Sequence, residues 1–545
     1  MANRTGGEAL VERLSLHGVD LLFGIISIHN LDIFDALYRY QDRVRHIGGR
    51  TELGCGFMAD GYARSSGRPG VLVSSTGPGA ANSMHAVGEA YHSSSPLLHL
   101  TTTVARGERE QGLGLIHEPK KQFRMLRSVT GHARRVEDPA DLAPAVDEAF
   151  AALSTGRRRP SVLQFPNDLL GSPCGPGGRR PPGPVPTGAG EEDLEQIVSA
   201  IRRAERPLIW AGEELAYTGA HGTLIRLAET LGVPVVTGDG AKDAFPEDHP
   251  LSLGTCLGQR IWADNPVHDF IPGCDLVLGL GSGFIHRSTV QLGVRLPEQL
   301  IQVVADPDYL GRNYPVRLGI VADGGVVASQ ILERVQGRDR SSSSGYRDEI
   351  RNLKRLIRKE LQRQWPLETR AMEAIRSVLP RETITTWDTT VPASRASRAF
   401  QAYGPRTFLN PYGWVGIGFS FPAALGAKAA APEAPVVCFS GDGGFQYCMS
   451  ELATAVQYGL NVTVVLFNDE AWGVLKWLQK SSYGGRYLGT DLANPDFVKV
   501  ADGYGIAGAR VGSLSELLPV LEEAVGSDRT TLIDVRIPRG FSEFA

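Results

Sequence analysis

The feature that most constrains this chain is one kind of segment, repeated along its length. Short, unbroken apolar runs rich in β-branched residues alternate with turns and helical patterns. PGVLVSS stands in the first third, ahead of a Gly-rich turn and a helix from about Ala81 to Tyr91; PLIWAG, VPVVTG, CDLVLGLG and LIQVVAD stand in the middle; APVVCFSGDGG, NVTVVLFND and TTLIDVRIP near the end. A strand apolar on both faces needs helices over both, so these runs predict an α/β fold of parallel sheets covered by helices. Two breaks divide the pattern. Gly171 to Gly190 is too rich in Pro and Gly to hold helix or strand and reads as a linker. GRDRSSSSG, from Gly337 to Gly345, precedes an amphipathic helix with apolar residues at Ile350, Leu353, Ile357 and Leu361. Its glutamates and its place between domains favour a solvated connector. The expected organisation is three consecutive domains, 1–170, 191–336 and 371–545, joined by a linker at 171–190 and a linker with connector helix at 337–370. The first and last look alike in layout.

Composition excludes several classes. At 545 residues, 42% hydrophobic and 21% charged, the chain can bury several cores and is not disordered or disulfide-stapled. A net charge of −4 gives no electrostatic reason to expect nucleic acid or an anionic membrane. No run of about 18 apolar residues predicts a membrane span. Six cysteines without a C-x-x-C pair read as reduced and non-zinc, and the N-terminus has no signal-peptide core. The expected location is cytoplasmic.

The most informative stretch is APVVCFSGDGGFQYCMSELATAVQYGLNVTVVLFNDEAWG. It reads as a strand, the turn Gly441-Asp442-Gly443-Gly444, a helix from Phe445 to about Tyr458, and a second strand ending at Asn468-Asp469. That is one βαβ unit, so Asp442 and Asp469 emerge at the carboxyl ends of strands, where open α/β sheets bind ligands. Two hard oxygen ligands suit Mg²⁺, and the glycines let backbone approach a phosphate. Gly and Asp are common in any βα turn, and the chain has a second GDG at Gly238-Asp239-Gly240. That one is followed by AKDAFPEDHP, with no helix and no closing strand.

GDG followed 24 residues later by Asn468-Asp469 resembles the thiamine diphosphate signature of the acetolactate synthase, benzoylformate decarboxylase and pyruvate decarboxylase superfamily. The resemblance extends to nearly the whole chain, as pyrimidine, middle and diphosphate domains. It implies that Asp442, Asp469 and the backbone carbonyl of Ala471 hold Mg²⁺, with Gly441, Gly443, Gly444, Trp472 and Gly473 beside the cofactor. Asp469 stands where the family usually has a second Asn, which adds a negative charge near the diphosphate. RTELGCGFMADGYARSSGRPGVLVSSTGPGAANS is similar to the pyrimidine-domain signature and implies Glu52 as the acid that activates the cofactor. In PYGWVGIGFSFPAALGAKAAAPEAPVV, Ile417 matches the apolar prop that bends thiamine, in register with Pro422. Val415 stands where relatives often carry Gly, and its backbone carbonyl is the expected contact.

The substrate side is less sharply written. His117, in LGLIHEPKKQ, aligns with the first of the paired histidines of pyruvate decarboxylases and is a candidate catalytic residue. His286, in GSGFIHRS, lies near a second histidine of benzoylformate decarboxylases. Ile28 stands where pyruvate decarboxylases carry an aspartate, with His29 next to it. Val474 and Leu475 replace their catalytic glutamate. An apolar pocket without those acids favours a bulkier 2-oxo acid, or a second carbonyl substrate. FAD, which acetolactate synthases add in the middle domain, is not favoured by AGEELAYTG or GLGSG. The resemblance implies decarboxylation of a 2-oxo acid, with the enamine protonated or ligated to an acceptor. Because relatives place each site between two chains, it also implies a homodimer at least, and a homotetramer as the expected assembly. An FAD-containing acetolactate synthase subunit and a silent cofactor-binding module are the rival readings.

Overall fold

The computed structural model describes residues 4–109, 111–118, 120–175, 178–256, 265–286, 289–335 and 344–537. Most of the Ser-rich break, 337–343, therefore lies outside the described residues.

The apolar runs form three six-stranded sheets. The first holds β1 (Leu21–Gly24), β2 (Arg45–Ile47), β3 (Gly70–Ser74), β4 (Leu97–Thr103), β5 (His132–Arg135) and β6 (Ser161–Pro166), in the order 2-1-3-4-6-5. The middle sheet holds β7 (Pro207–Ala211), β8 (Val235–Thr237), β9 (Ser252–Thr255), β10 (Leu276–Leu280), β11 (Leu300–Val304) and β12 (Leu318–Val321), in the order 12-11-10-7-8-9. The third holds β13 (Ile384–Trp387), β14 (Phe408–Leu409), β15 (Val436–Gly441), β16 (Thr463–Asn468), β17 (Ala507–Val511) and β18 (Thr531–Arg536), in the order 14-13-15-16-18-17. Neighbouring strands pair in parallel throughout, with helices on the connections, as both-sided burial of these runs requires. Strand for strand, the first and third sheets have the same topology. The middle order is that of the doubly wound dinucleotide-binding folds.

The first and third domains share one apolar core. Its centre is the crossing of the helix Glu52–Ser66 on the helix Ser420–Ala430. A Cβ at Gly61 would run into the Ala423 carbonyl, and one at Gly426 into the Met58 carbonyl. Glycine at both positions lets the two backbones touch. The connector helix spans Ser344–Gln364 and packs Tyr346, Ile350 and Leu353 against the middle domain.

Two helices differ from the sequence expectation. The one expected from about Ala81 to Tyr91 opens at Pro78, a residue suited to a first turn, and is interrupted at Ser83, whose hydroxyl bonds the Ala80 carbonyl at 2.8 Å. The helix expected from Phe445 to Tyr458 starts at Asp442 and is broken by a tight turn at Met449–Glu451 before resuming at Leu452–Tyr458. That turn aims the Glu451 side chain at the first domain.

Candidate active site

β15 and β16 are paired so that Gly441 faces Phe467, which brings the residues after them side by side. Asp442 opens a helix at the end of β15, and Asp469 follows β16 directly. Both carboxyls are buried and close enough to interact. Asp442 accepts from its neighbour's amide, Gly443 N, at 2.9 Å and from Asn494 Nδ2 at 2.6 Å. Asn494 also donates to Asn468 Oδ1 at 3.0 Å and accepts from Gln446 Nε2 at 3.0 Å, so one side chain ties both strand ends together. Burial raises Asp442, and burial together with the Asp442 charge raises Asp469. Two buried acids forced to share protons form a donor set that a cation would relieve.

Asp442 and Asp469 line a cavity of about 150 Å³ with Thr389, Thr390, Ile417, Trp472, Val474 and Leu475. Gly441, Gly443, Gly444, Ala471 and Gly473 complete its wall on this side. A Cβ on Gly443 would strike the Trp472 ring, and one on Gly444 the Asp388 carboxyl, so the turn is close-packed before any phosphate arrives.

The segment before Ile417 is bent. Val415 has φ of +61°, in the left-handed region that a β-branched residue rarely enters. Such strain costs about 1–3 kcal/mol and persists only where the surroundings fix it. They do so here. Gly416 N donates to the buried carboxylate of Glu89 at 3.0 Å, and Gly418 N to that of Asp388 at 3.2 Å. The left-handed backbone explains why a glycine is common at this place. Glu470, between Asp469 and Ala471, is also left-handed, at +51°, and its carboxylate accepts from Arg536 Nη2 at 2.6 Å.

The first domain carries the other candidates. Glu52 is the first residue of its helix, half-buried, and accepts from Asn82 Nδ2 at 3.2 Å. The helix start is held from the third domain. Glu451, fully buried, accepts from Arg50 N at 3.0 Å, Thr51 N at 3.0 Å and Thr51 Oγ1 at 3.1 Å. His29 and His117 come together, with ring centroids 5.2 Å apart. His29 is buried, its Nδ1 has no partner among the described residues, and burial followed by the His117 charge lowers its pKa. His117 is exposed, on a residue with φ of +64°, and Ile28 is 63% exposed.

All three domains match known proteins. A family model described as the thiamine pyrophosphate enzyme N-terminal TPP binding domain matches residues 4–125, the central domain of that enzyme 194–331, and its C-terminal TPP binding domain 388–535. A probable 2-ketoarginine decarboxylase of Pseudomonas aeruginosa is 32% identical over 98% of this chain and 94% of its own length. An acetolactate synthase of Arthrospira platensis is 32% identical over 98% of this chain and 94% of its own. The acetolactate synthase large subunit of Corynebacterium glutamicum is 32% identical over 97% of this chain and 86% of its own. The chain belongs to the thiamine pyrophosphate enzyme family. It is a thiamine diphosphate-dependent enzyme, related to 2-oxo acid decarboxylases and acetolactate synthases.

Within this thiamine diphosphate enzyme the candidates fall into two groups. Ile417, Asp442, Asp469, Ala471, Trp472, Gly473, Val474 and Leu475 share one cavity, and Thr389 Oγ1 of its wall donates to the Val415 carbonyl at 3.4 Å. Glu52, Ile28, His29 and His117 lie on the first domain and do not line it. His286 stands exposed on the middle domain and joins neither group. Asn494, Asp388, Glu89 and Glu451, which fix the candidates in place, carry no local sequence signal. The second GDG turn forms only a tight turn at Asp239–Ala241, with no helix after it.

Proposed function

We propose that this enzyme uses thiamine diphosphate and Mg²⁺ to decarboxylate a 2-oxo acid, in a site completed between two copies of the chain. One observation carries the reading: the Asp442–Asp469 pair shares a cavity with Ile417, while the activating acid and the histidine pair sit on another domain. Mg²⁺ is supported by that buried pair. Among the described residues no group of three or more His, Cys, Asp or Glu side chains could hold a metal. A cation here therefore takes its other ligands from the Ala471 carbonyl, water and the diphosphate. Bound thiamine diphosphate supplies the electron sink for the pair left when carbon dioxide departs.

The chain's own residues do the rest. Glu52 would hold the proton at its carboxyl that activates the bound cofactor, and the Val415 carbonyl and Ile417 side chain would support the cofactor's pyrimidine. His29, kept neutral by burial, and His117 move the proton that follows decarboxylation. Apart from the metal-binding pair, the cavity wall has no carboxylate, and Ile417, Val474 and Leu475 make it apolar. That favours a 2-oxo acid bulkier than pyruvate, whose remaining carbon would be protonated or joined to a carbonyl acceptor.

The homodimer is supported by apolar side chains left open on both groups: Ile26, Ile28, Leu113 and Ile116 on the first domain, Leu475, Trp477 and Leu488 on the third. A homotetramer is the expected assembly. An FAD-free middle domain is supported by the turn after β7, where Glu213 and Glu214 are both raised by burial. A dinucleotide's diphosphate would meet two carboxyls there. No helix among the described residues is long and apolar enough to cross a membrane, and the cytoplasm remains the expected location.

Carbon dioxide release from pyruvate, 2-oxobutyrate, branched-chain acids, benzoylformate and 2-oxo-5-guanidinopentanoate tests the proposal. The last is included because of the relative named for 2-ketoarginine. Turnover needing Mg²⁺, cofactor and Glu52 on a larger acid supports the proposal. A yellow protein that prefers pyruvate favours the acetolactate synthase reading. Silence on every acid with cofactor bound favours a silent module.

A further inference from the structure

A second cavity, of about 530 Å³, lies at the junction of β9, the connector helix and the helices Pro366–Val378 and Val391–Ala399. It shares no lining residue with the thiamine cavity, and its size is that of a small-molecule site, roughly 300–1,000 Å³.

Its charge is one-sided. Lys354, Arg355, Arg358, Arg376 and Arg398 line it, against the carboxylates of Glu247 and Glu373. Both acids are already engaged. Glu247 accepts from Lys242 Nζ at 2.6 and 2.7 Å, and Glu373 from Arg358 Nε at 3.0 Å. The decisive group is Arg398. Among the described residues its buried Nη1 and Nη2 have no hydrogen-bond partner, and the same is true of Arg376 Nε, while Arg376 Nη2 donates to the Leu379 carbonyl at 2.9 Å and the Pro380 carbonyl at 2.5 Å. Arg398 stands over the Trp365 ring at 5.5 Å, and Arg376 over Tyr403 at 4.6 Å, so both planes are held in place. Burial pushes Arg398 down to about 10 and lowers Arg376 and Lys354 as well. A chain gains nothing in stability from fixed, buried, unpaired guanidinium donors; an oxyanion seated against them would pair them.

We propose that this cavity binds a small anionic metabolite through phosphate or carboxylate oxygens, with Arg398 and Arg376 as the principal donors. Lys354 and Arg355 add charge at the rim.

The test is calorimetric melting of the holoenzyme, saturated with thiamine diphosphate and Mg²⁺, in the presence of inorganic phosphate, AMP or citrate. Sodium chloride at equal ionic strength is the control. At least one anion should raise Tm by several degrees at millimolar concentration. A rise with phosphate and AMP names a phosphoryl group, and a rise with citrate names carboxylates. Arg398→Met should melt no lower than the parent without anion, because it removes an unpaired buried charge, and should lose the anion-dependent rise. Arg355→Gln, at an exposed position, should keep the parent's Tm and show a weakened rise. The proposal is overturned if no anion acts beyond the salt control, or if the rise persists in both variants. A drop in the anion-free Tm of Arg398→Met would also overturn it, because the guanidinium would then be a structural group.

Discussion

The first and third sheets run their strands in the same order, yet their carboxyl ends carry different candidate groups. After β3 and β15, the equivalent central strands, each chain segment enters a helix, and each such helical region contains a fully buried glutamate. Glu89 reaches into the third domain and holds Gly416, between Val415 and Ile417. Glu451 reaches into the first and holds Arg50 and Thr51, ahead of Glu52. The scaffold is shared, and so is the device that ties each half to the other domain of its own chain. The difference lies in what the loops carry: an acid and two histidines on one side, a metal-type carboxylate pair on the other. One topology carries both sets of candidate side chains on its strand ends.

The largest expected effect breaks the first half alone. Glu52→Gln should lower carbon dioxide release by roughly 10²–10⁴-fold, the range for a lost acid–base group, while thiamine diphosphate still binds. Binding lost in parallel with turnover would place Glu52 in cofactor retention instead. On the other half, Asn494→Ala should weaken Mg²⁺ activation by about 10–100-fold, as losses of outer-shell partners do, with little change in the saturated rate. Asp469→Asn should also shift the Mg²⁺ requirement; an unchanged requirement would remove that residue from the metal site.

The matched glutamates sharpen the comparison further. Glu451→Ala strands the Arg50 and Thr51 amides, and Glu89→Ala strands that of Gly416. Each should cost about 1–3 kcal/mol in denaturant unfolding for every stranded group. A large loss in one variant and none in the other would show that the two ties are not equivalent.

The smallest effect concerns pH. β4 carries His99, fully buried and pushed down to about 3 by burial, whereas the equivalent β16 has no histidine. The unfolded chain binds a proton there near pH 6.5 and the folded chain does not. This group's contribution is therefore full above about 6.5 and is lost as pH falls toward 3. His99→Leu should make the acid side of the stability profile shallower over that window. An unaltered profile would contradict the assignment.

Much of this was legible in the sequence. Apolar runs between helical patterns gave the three parallel sheets, because both-sided burial admits little else. GDG with a strand, helix and strand in order gave the carboxylate pair, and the second GDG lacked that context. What stayed hidden depends on contacts across tens to hundreds of residues. Glu451 meets Arg50 from 401 positions away, and Asn494 meets Asp442 from 52. No local spacing encodes such pairs. The break at Met449–Glu451 was missed for the same reason, since the contact that rewards it lies on another domain. His286 sat in a suggestive motif but emerges on the middle domain, exposed and apart from the other candidates.

The most direct test of a site shared between chains mixes two inactive proteins, Glu52→Gln and Asp442→Asn, co-refolded or co-expressed and assayed on the best 2-oxo acid. If each site takes Glu52 from one chain and Asp442 from the other, every mixed dimer contains one intact site. Random pairing should then restore about a quarter of the parent's carbon dioxide release. If each chain builds its own site, the mixture stays as inactive as its components, and that result would contradict the account.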